Sequence, residues 1–295
     1  MARNPLVARR RLGAVLRDLR TSSHLKIEDA ARVLDCSGAK VSRLETGKGV
    51  PRQRDVRDLI EFYGAAARAR RDELLGLVAD SLSDGEGLVT DFRDVLDSDM
   101  VSDDQARYMA LEQDAAALSQ FQSGLVPGLL QTEAYAAAVA GMFFPDRDAA
   151  QRKRFVQLRM ERRAVLRRPG DDRLKLSVVL GEPVFRRPVG GIPVLREQLA
   201  HLLDTARDGL SFVDFRVAPL PLVTPAVLGG PFSIIEFATP HDQDVVYLEG
   251  AESATYLETD EQVARYKDKF TALAAACPDR DRSIAIVEEV AESLT

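Results

Sequence analysis

The sequence contains no tryptophan, and its aromatic residues make up only 6% of the 295 positions. This scarcity of aromatic side chains argues against an extensive base-stacking surface for single-stranded nucleic acid. There are only two cysteines, Cys36 and Cys277, which lie far apart and belong to no CxxC or Cys/His cluster. Their spacing argues against a structural zinc site and a disulfide framework, so we expect no bound metal, no cofactor and a reducing compartment.

Long apolar runs are also missing. The most apolar stretch, Tyr135–Phe144, is much shorter than the roughly 20 residues of a membrane-spanning helix. The N-terminal segment carries positive charges, but arginines interrupt it too often for the apolar core of a signal peptide. We therefore expect a soluble cytoplasmic protein with no membrane association.

The sequence likewise lacks recognisable catalytic motifs. Its three histidines, His24, His201 and His241, show no HxxxH spacing, and there is no G-x-S-x-G nucleophile elbow, P-loop or dinucleotide fingerprint. Three carboxylates near the ends of apolar runs could line a pocket, but they follow no spacing rule: Glu182, Glu236 and Glu249. We predict no catalytic residue, and hence a protein that is not an enzyme.

Charge is distributed unevenly along the chain. Residues 1–78 contain 17 Lys and Arg against 10 Asp and Glu, a net charge of +7. The remainder contains 23 against 36, a net charge of −13. A basic region on an acidic chain can neutralise phosphates, although a chance distribution of solvated charge would give the same pattern.

Apolar residues recur with helical spacing through the first eighty residues. The predicted helices lie around Leu12–Leu19, at Lys26–Leu34, from Ser37 to Gly47, at Arg52–Tyr63 and at Arg68–Leu82. Ser37 is placed to cap the third helix, because its hydroxyl can accept a hydrogen bond from a free amide at the helix start. In the third and fourth helices we expect these apolar residues to be buried: Val41, Leu44, Val56, Leu59, Ile60 and Phe62. Two short helices joined by a tight turn are typical of a helix-turn-helix.

Three segments of this region, LGAVLRDLR, DAARVLDCSGAKVSRLETGKGVP and DLIEFYG, resemble the helix-turn-helix domain of the XRE/Cro/C1-type repressor family. The matching features are the LG-x-x-LR opening, the paired alanines of the second helix, the K-V-S-R-L-E-x-G ending of the third and the proline that follows. The resemblance implies that the third helix enters the major groove of double-stranded DNA. It also implies that Glu45 is structural, paired with a basic residue of the same domain.

The same resemblance implies base and phosphate contacts for the outward residues of the third helix: Ser37, Gly38, Ala39, Lys40, Ser42 and Arg43. Gly38 and Ala39 carry no side-chain donor or acceptor, and Ala39 could contact only a thymine methyl group. We therefore expect Lys40 and Arg43 to make most of the base contacts. Three further cations are interpreted as phosphate contacts, although those flanking the turn could equally be solvated: Lys26, Lys48 and Arg52.

The pattern changes after residue 80. The segment SDGEGLVTD opens a predicted linker, residues 81–103, between a head at residues 1–80 and a body at residues 104–295. The body should begin with one helix that runs to the Pro-Gly turn at 127–128. Short apolar runs then indicate strands at LKLSVVLGE, LSFVDFRVAPL, FSIIEFA and DVVYLEG, with helices between and after them. We predict an α+β protein, with an all-α five-helix head followed by a larger α+β domain.

One basic segment of the body has two interpretations. Arg152–Arg168 contains eight basic residues and one Glu. It could be a second nucleic-acid surface, or an amphipathic helix whose arginines neutralise acidic residues of the same domain. We favour the second interpretation, because the rest of the body is strongly acidic.

The body also resembles a known family. The segments ALSQFQSGLVPGLLQTEAYA, RMERRAVL, SVVLGEPVFRRPVGG, REQLAHL, GPFSIIEF, VVYLEG and YKDKFTAL are similar to DUF5753, a C-terminal domain of unknown function found behind XRE-type domains in actinobacterial regulators. The resemblance implies transcriptional control, often together with a small protein encoded nearby.

These observations predict a sequence-specific DNA-binding transcriptional regulator, associated with the nucleoid, that binds a double-stranded operator as a homodimer. The body would sense a ligand or protein partner, or mediate dimerisation. As an alternative, the acidic body would capture a small basic partner protein, with DNA binding as the regulated output. A third hypothesis, an enzyme with a fused regulatory head, has the least support.

Overall fold

The computed structural model describes residues 5–83, 88–207, 213–238, 242–250 and 253–294. The chain divides into two compact units. The first runs to Asp91 and includes Met109–Asp114 and Phe237–Gln243, and the second comprises Phe92–Tyr108, Ala115–Glu236 and the chain from Asp244. Where it is described, the predicted linker at 81–103 contains two short helices, and it buries apolar side chains such as Phe92 and Val95.

The head is entirely helical, as predicted, but it contains one short helix more than expected. Its helices are α1 (Pro5–Ser22), α2 (Ile27–Val33), α3 (Gly38–Glu45), α4 (Gln53–Tyr63), α5 (Ala65–Ala69) and α6 (Arg71–Leu82). The additional helix is α5. It arises because Gly64, with a φ of 90°, ends α4 and turns the chain before α6 begins.

One apolar cluster forms the core of the head. On α4 the buried residues are Val56, Leu59, Ile60 and Tyr63, which follow the i, i+3, i+4, i+7 spacing of one helix face. The prediction that Phe62 is buried is wrong: it is 37% exposed, whereas the neighbouring Tyr63 is 4% exposed. The spacing explains this outcome, because a residue at i+6 points away from that face.

The rest of the chain contains ten α-helices and six strands among its described residues. The helices are α7 (Leu88–Asp91), α8 (Arg93–Leu96), α9 (Asp103–Asp114), α10 (Glu133–Phe143), α11 (Ala149–Arg162), α12 (Pro183–Arg186), α13 (Ile192–Arg207), α14 (Pro225–Leu228), α15 (Asp260–Ala276) and α16 (Arg280–Ser293). The strands are β1 (Ala117–Gln122), β2 (Lys175–Gly181), β3 (Val213–Ala218), β4 (Phe232–Glu236), β5 (Val245–Glu249) and β6 (Ala254–Leu257).

The strands form one mixed sheet in the order β3-β2-β1-β4-β5-β6. The neighbours β1, β2 and β3 are parallel, and helical connections join them along the chain. The strands β4, β5 and β6 continue the sheet from β1 in antiparallel fashion. An all-helical head followed by this domain of sheet and helices confirms the predicted α+β class.

One face of the sheet packs against α15. Phe121 and Phe232 of the sheet form an apolar cluster with Val263 and Phe270 of that helix. Thr259 caps α15 by accepting a hydrogen bond from Gln262 N at Oγ1, 3.3 Å away. Thr259, two residues after the end of β6, therefore starts the helix that covers this face of the sheet.

Two strands were not predicted. The sequence predicts a helix over the segment of β1, yet β1 is a central strand, hydrogen-bonded to β2 on one side and β4 on the other. It buries Leu118 and Gln120 on one face and Phe121 on the other, so it lacks the clear alternation of a half-exposed strand. The four-residue edge strand β6 was too short to produce a pattern.

Candidate nucleic-acid interface

Backbone geometry and a side-chain cap hold the turn between α2 and α3. Asp35 adopts a left-handed conformation, with a φ of 48°. Cys36 N donates to Ala31 O across 2.9 Å and closes the end of α2. Ser37 Oγ accepts a hydrogen bond from Lys40 N at 3.3 Å, which confirms the predicted cap. The cap fixes where α3 begins, and with it the direction of the side chains on its outer face.

Helix α3 packs closely on α1. Val41 and Leu44 are 0% and 7% exposed and belong to the core of the head, as predicted. A Cβ on Gly13 of α1 would lie 2.5 Å from the carbonyl oxygens of both Leu44 and Glu45. Glycine therefore permits an approach of the two backbones that a larger residue would prevent.

A buried ion pair fixes the C-terminal end of α3. Arg20 Nε and Nη2 donate to Glu45 Oε1 and Oε2 at 2.6 and 2.9 Å, and Arg20 Nη1 donates to Leu25 O at 2.8 Å. The Glu45 carboxylate raises the pKa of Arg20, although burial acts in the opposite direction. The interpretation of Glu45 as a structural residue paired with a cation of the same domain is confirmed.

The opposite face of α3 is open. Its exposed residues are Ser37, Ala39, Ser42 and Arg43. Gly38 is half-buried against α2, where a Cβ would lie 3.3 Å from Ile27 Cγ2. The guanidinium of Arg43 has no hydrogen-bond or ion-pair partner among the described residues. A long, positively charged side chain is thus available on the outer face of a rigidly held helix.

Lys40 differs from Arg43 in having a partner. Its Nζ lies 2.6 Å from Asp55 Oδ2, in the first turn of α4, and the side chains of Lys40 and Asp55 are 39% and 15% exposed. The six predicted residues of α3 and its cap therefore share one side of the head, but only Arg43 among them presents an unpaired cation within the described structure.

The cations predicted as phosphate contacts lie at both ends of this surface. The exposed residues are Lys26, Lys48 and Arg52. Lys26 precedes α2, and its backbone N–H donates to Asp29 Oδ2 at 2.9 Å. Lys48 and Arg52 flank the turn between α3 and α4, next to Val50, which is 60% exposed. The three cations are thus exposed in the turns that flank α2 and α3.

The carboxylates singled out in the body do not come together. Glu182, 8% exposed, binds Arg186 Nε at 2.7 Å and accepts a hydrogen bond from Leu220 N at 2.9 Å. Burial alone would raise the pKa of Glu182, but these two hydrogen bonds outweigh it and lower the pKa. Glu236 Oε2 lies 2.5 Å from Lys267 Nζ, and Glu249 is exposed.

A cavity of about 280 Å³ lies beside Glu182, at the carboxyl ends of β2 and β3. Its charged lining residues are paired with one another, Glu182 with Arg186 and Arg282 with Glu289, the latter at 2.7 Å. Because each of these charged side chains is paired with one of opposite sign, the cavity lining favours neither anionic nor cationic ligands.

The histidines also occupy separate places. Arg163 Nη2 lies 3.2 Å from His201 Nε2, and burial, followed by the charge of Arg163, lowers the pKa of this imidazole. His24 is exposed in the turn before α2, and His241 lies outside the described residues. Among the residues that the structure describes, no group of three His, Cys, Asp or Glu could hold a metal ion.

Arginines of the basic segment 152–168 bind groups of the second unit. Arg154 binds Asp94 with two hydrogen bonds, at 3.0 and 3.2 Å. Arg159 donates to the side chain of Gln131 at 2.9 Å, and Arg163 donates to its backbone carbonyl at 3.3 Å. These contacts support the intramolecular interpretation, with the difference that several partners are neutral oxygens rather than carboxylates.

Comparison with known families finds both a helix-turn-helix domain and a DUF5753 domain. Residues 105–289 match the model of a domain of unknown function, DUF5753. The chain belongs to this family. Residues 11–74 of this DUF5753 protein match a helix-turn-helix domain. The chain matches no curated protein and no solved structure.

The helix-turn-helix match supports a DNA-binding regulator. It covers α2 and α3, together with Gly13 and the Arg20–Glu45 pair that hold α3 in place. Among the described helices of this DUF5753 protein, none is both long enough and apolar enough to cross a membrane.

Two partners of α3 residues in this DUF5753 protein were not predicted from the sequence, namely Asp55 for Lys40 and Arg20 for Glu45. Asp55 lies 15 positions after Lys40, and no local spacing rule connects a residue of α3 to the first turn of α4. Arg20 was not identified as the cation that binds Glu45. Its place on the apolar side of α1, one residue after Leu19, was the available indication.

Proposed function

We propose that this protein is a sequence-specific transcriptional regulator that places α3 in the major groove of a double-stranded operator. The single observation that carries the proposal is the arrangement of α3. Its inner residues and Glu45 are fixed in the head, while its outer face presents an unpaired Arg43 between exposed small side chains. A rigid helix with such a face can form hydrogen bonds to base edges without a large cost in ordering.

Arg43 is the principal base contact in this proposal. A guanidinium can donate two hydrogen bonds to O6 and N7 of guanine, which discriminates against other bases by about 1–3 kcal/mol. Ala39 would contact a thymine methyl group. Ser37 and Ser42 would form hydrogen bonds to base edges or phosphates, and Gly38, which has no side chain, would allow close approach. Lys40 belongs to the same face, but its pairing with Asp55 makes its contribution smaller than that of Arg43.

Phosphate contacts would come from the flanking cations, Lys26, Lys48 and Arg52. Contacts of this kind orient the protein on the duplex and supply affinity without sequence information. The net charge of +7 over residues 1–78 fits this role, since these residues approach a polyanion while the remaining chain carries −13.

A homodimer would place two heads on half-sites about one helical turn, or about 34 Å, apart. The DUF5753 body would mediate this dimerisation, or would sense a ligand or a protein encoded nearby. We propose no enzymatic activity, because Glu182, Glu236 and His201 contact separate partners and do not come together in one site. The protein would act in the cytoplasm, bound to the nucleoid, as an XRE-type regulator of an actinobacterium.

The test is genome-wide occupancy of the tagged protein in its native host, compared with an Arg43→Ala version. We expect discrete sites that share a motif, and their loss in the variant. Arg68→Ala is the matched control, because it removes the same charge from an exposed position of α5, outside α2 and α3. Discrete sites that persist in Arg43→Ala would contradict the proposed role of α3.

A second candidate function, capture of a protein partner by the body, is favoured by an exposed apolar segment between β3 and β4. Leu220, Val223 and Leu228 are 59%, 72% and 76% exposed, and residues 219–231 contain no ionisable side chain. Apolar surface of this kind is typical of interaction sites. If partner capture regulates DNA binding, Val223→Asp should change occupancy in the host and leave the affinity of the purified protein for its operator unchanged. Unchanged occupancy would count against a partner at this segment.

A further inference from the structure

The ion pair between α3 and α4 distinguishes Lys40 from the other cations of the DNA-facing surface. Lys40 Nζ lies 2.6 Å from Asp55 Oδ2. By contrast, the side chains of Lys26, Arg43 and Lys48 have no ion-pair partner among the described residues. Asp55 is also the less exposed member of its pair, 15% against 39%.

This pairing reduces what Lys40 can contribute to DNA affinity. An ammonium group in contact with a carboxylate presents little net charge to a phosphate several ångströms away. To bind a phosphate directly, Lys40 would have to give up Asp55 and leave that carboxylate facing the polyanion. Release of counterions from DNA follows the number of phosphates that the protein neutralises, and a paired lysine adds little to that number.

We infer that Asp55 is a positioning residue that limits the sequence-independent affinity of the head for DNA by holding Lys40. The inference rests on the proposed function and adds a regulatory element to the same surface. Arg43 has no such partner, so base contacts through Arg43 remain available while one phosphate contact is withheld. Asp55 therefore lowers the affinity for any duplex by limiting contacts through Lys40, while base contacts through Arg43 are unaffected.

The test is the affinity of the full chain for a non-cognate duplex, measured by fluorescence anisotropy between 50 and 200 mM salt. For Asp55→Asn we expect roughly three- to tenfold tighter binding near 100 mM salt and a log–log salt slope steeper by about 0.9, the signature of one additional phosphate contact. Asp58→Asn is the matched control. It makes the same charge change on the same helix, at a residue paired only loosely with Arg54, at 3.8 Å, and it should change affinity less than about twofold.

The role of Lys40 is isolated by repeating the comparison in a Lys40→Ala background. We expect the gain from Asp55→Asn to disappear there, because no lysine remains to be released. An equal gain in both backgrounds would show that the carboxylate acts by repulsion alone and would overturn the inference, as would an unchanged salt slope. If Asp55→Asn lowers the melting temperature, Asp55→Ser provides a second variant with an acceptor in the first turn of α4. A wild-type chain that binds no duplex at 50 mM salt would instead overturn the proposed function itself.

Discussion

The buried pair between Arg20 and Glu45 should be the most sensitive point of the head. Arg20→Met would leave the Glu45 carboxylate, whose side chain is 4% exposed, without either of its two guanidinium hydrogen bonds. Leu25 O would lose its donor as well. Breaking a buried pair by removing one partner costs about 3–5 kcal/mol, a large part of the 5–15 kcal/mol that stabilises a typical domain.

Hydrogen exchange of the full-length protein, followed by mass spectrometry, measures this cost locally. Peptides from α1 to α3 should exchange between about 100-fold and 4,000-fold faster in Arg20→Met, since each 1.4 kcal/mol corresponds to a factor of ten. Peptides from β1 and β2 should exchange as in the wild type. Arg32→Met is the control on the same domain, because Arg32 is 78% exposed and lies 3.4 Å from Asp29 in a pair that should contribute little.

A double variant separates the pair from the individual side chains. Arg20→Met combined with Glu45→Leu removes the unpaired carboxylate, and such replacements of buried pairs by apolar residues are often neutral. The double variant should therefore be more stable than Arg20→Met alone. Two results would refute the assignment of Glu45 as a buried anion that depends on Arg20. One is an exchange rate of α3 in Arg20→Met equal to that of the wild type. The other is a loss of stability in the double variant equal to the sum of the losses in the two single variants.

Three further substitutions test other parts of the structure. Gly13→Ala should destabilise the head by about 1–3 kcal/mol in chemical denaturation, because the added methyl group would lie 2.5 Å from two backbone carbonyl oxygens. Gly76→Ala is the control: the space around its Cβ is open, so this change should be neutral or stabilise the head by up to about 1 kcal/mol. Gln198→Leu should lower the melting temperature of the body, because this 0% exposed amide satisfies one backbone donor and one backbone acceptor, each at 2.8 Å, and an unpaired group costs about 1–3 kcal/mol. Burial, together with Arg163, lowers the pKa of His201 below its ordinary 6.5, so the unfolded chain binds the proton more readily. Stability should consequently fall as the pH drops from about 6.5 through the folded-state pKa, and denaturation at pH 7.5 and 5.5 should show a smaller loss for His201→Gln than for the wild type. A mild Gly13→Ala, an unaffected Gln198→Leu or an equal pH dependence for His201→Gln would each contradict the corresponding assignment.

The sequence predicted the head better than the body for a physical reason. In α3 and α4 one face is buried and the other solvated, so apolar residues recur with helical spacing and the cap at Ser37 marks a boundary. In β1 both faces are covered and alanines precede the strand, so nothing in the local pattern separates it from a helix. The pairing of Lys40 with Asp55 depends on how two helices cross, which no local pattern contains.

The identity of the bases that α3 contacts decides whether this surface acts as proposed. The most direct measurement is enrichment of duplexes from a random-sequence library by the purified full chain, with Arg43→Ala selected in parallel. We expect a recurring motif for the wild type and, for the variant, relaxed preference at one guanine position. The same motif with undiminished preference at every position in Arg43→Ala, or no enriched motif for the wild type, would contradict base recognition through α3.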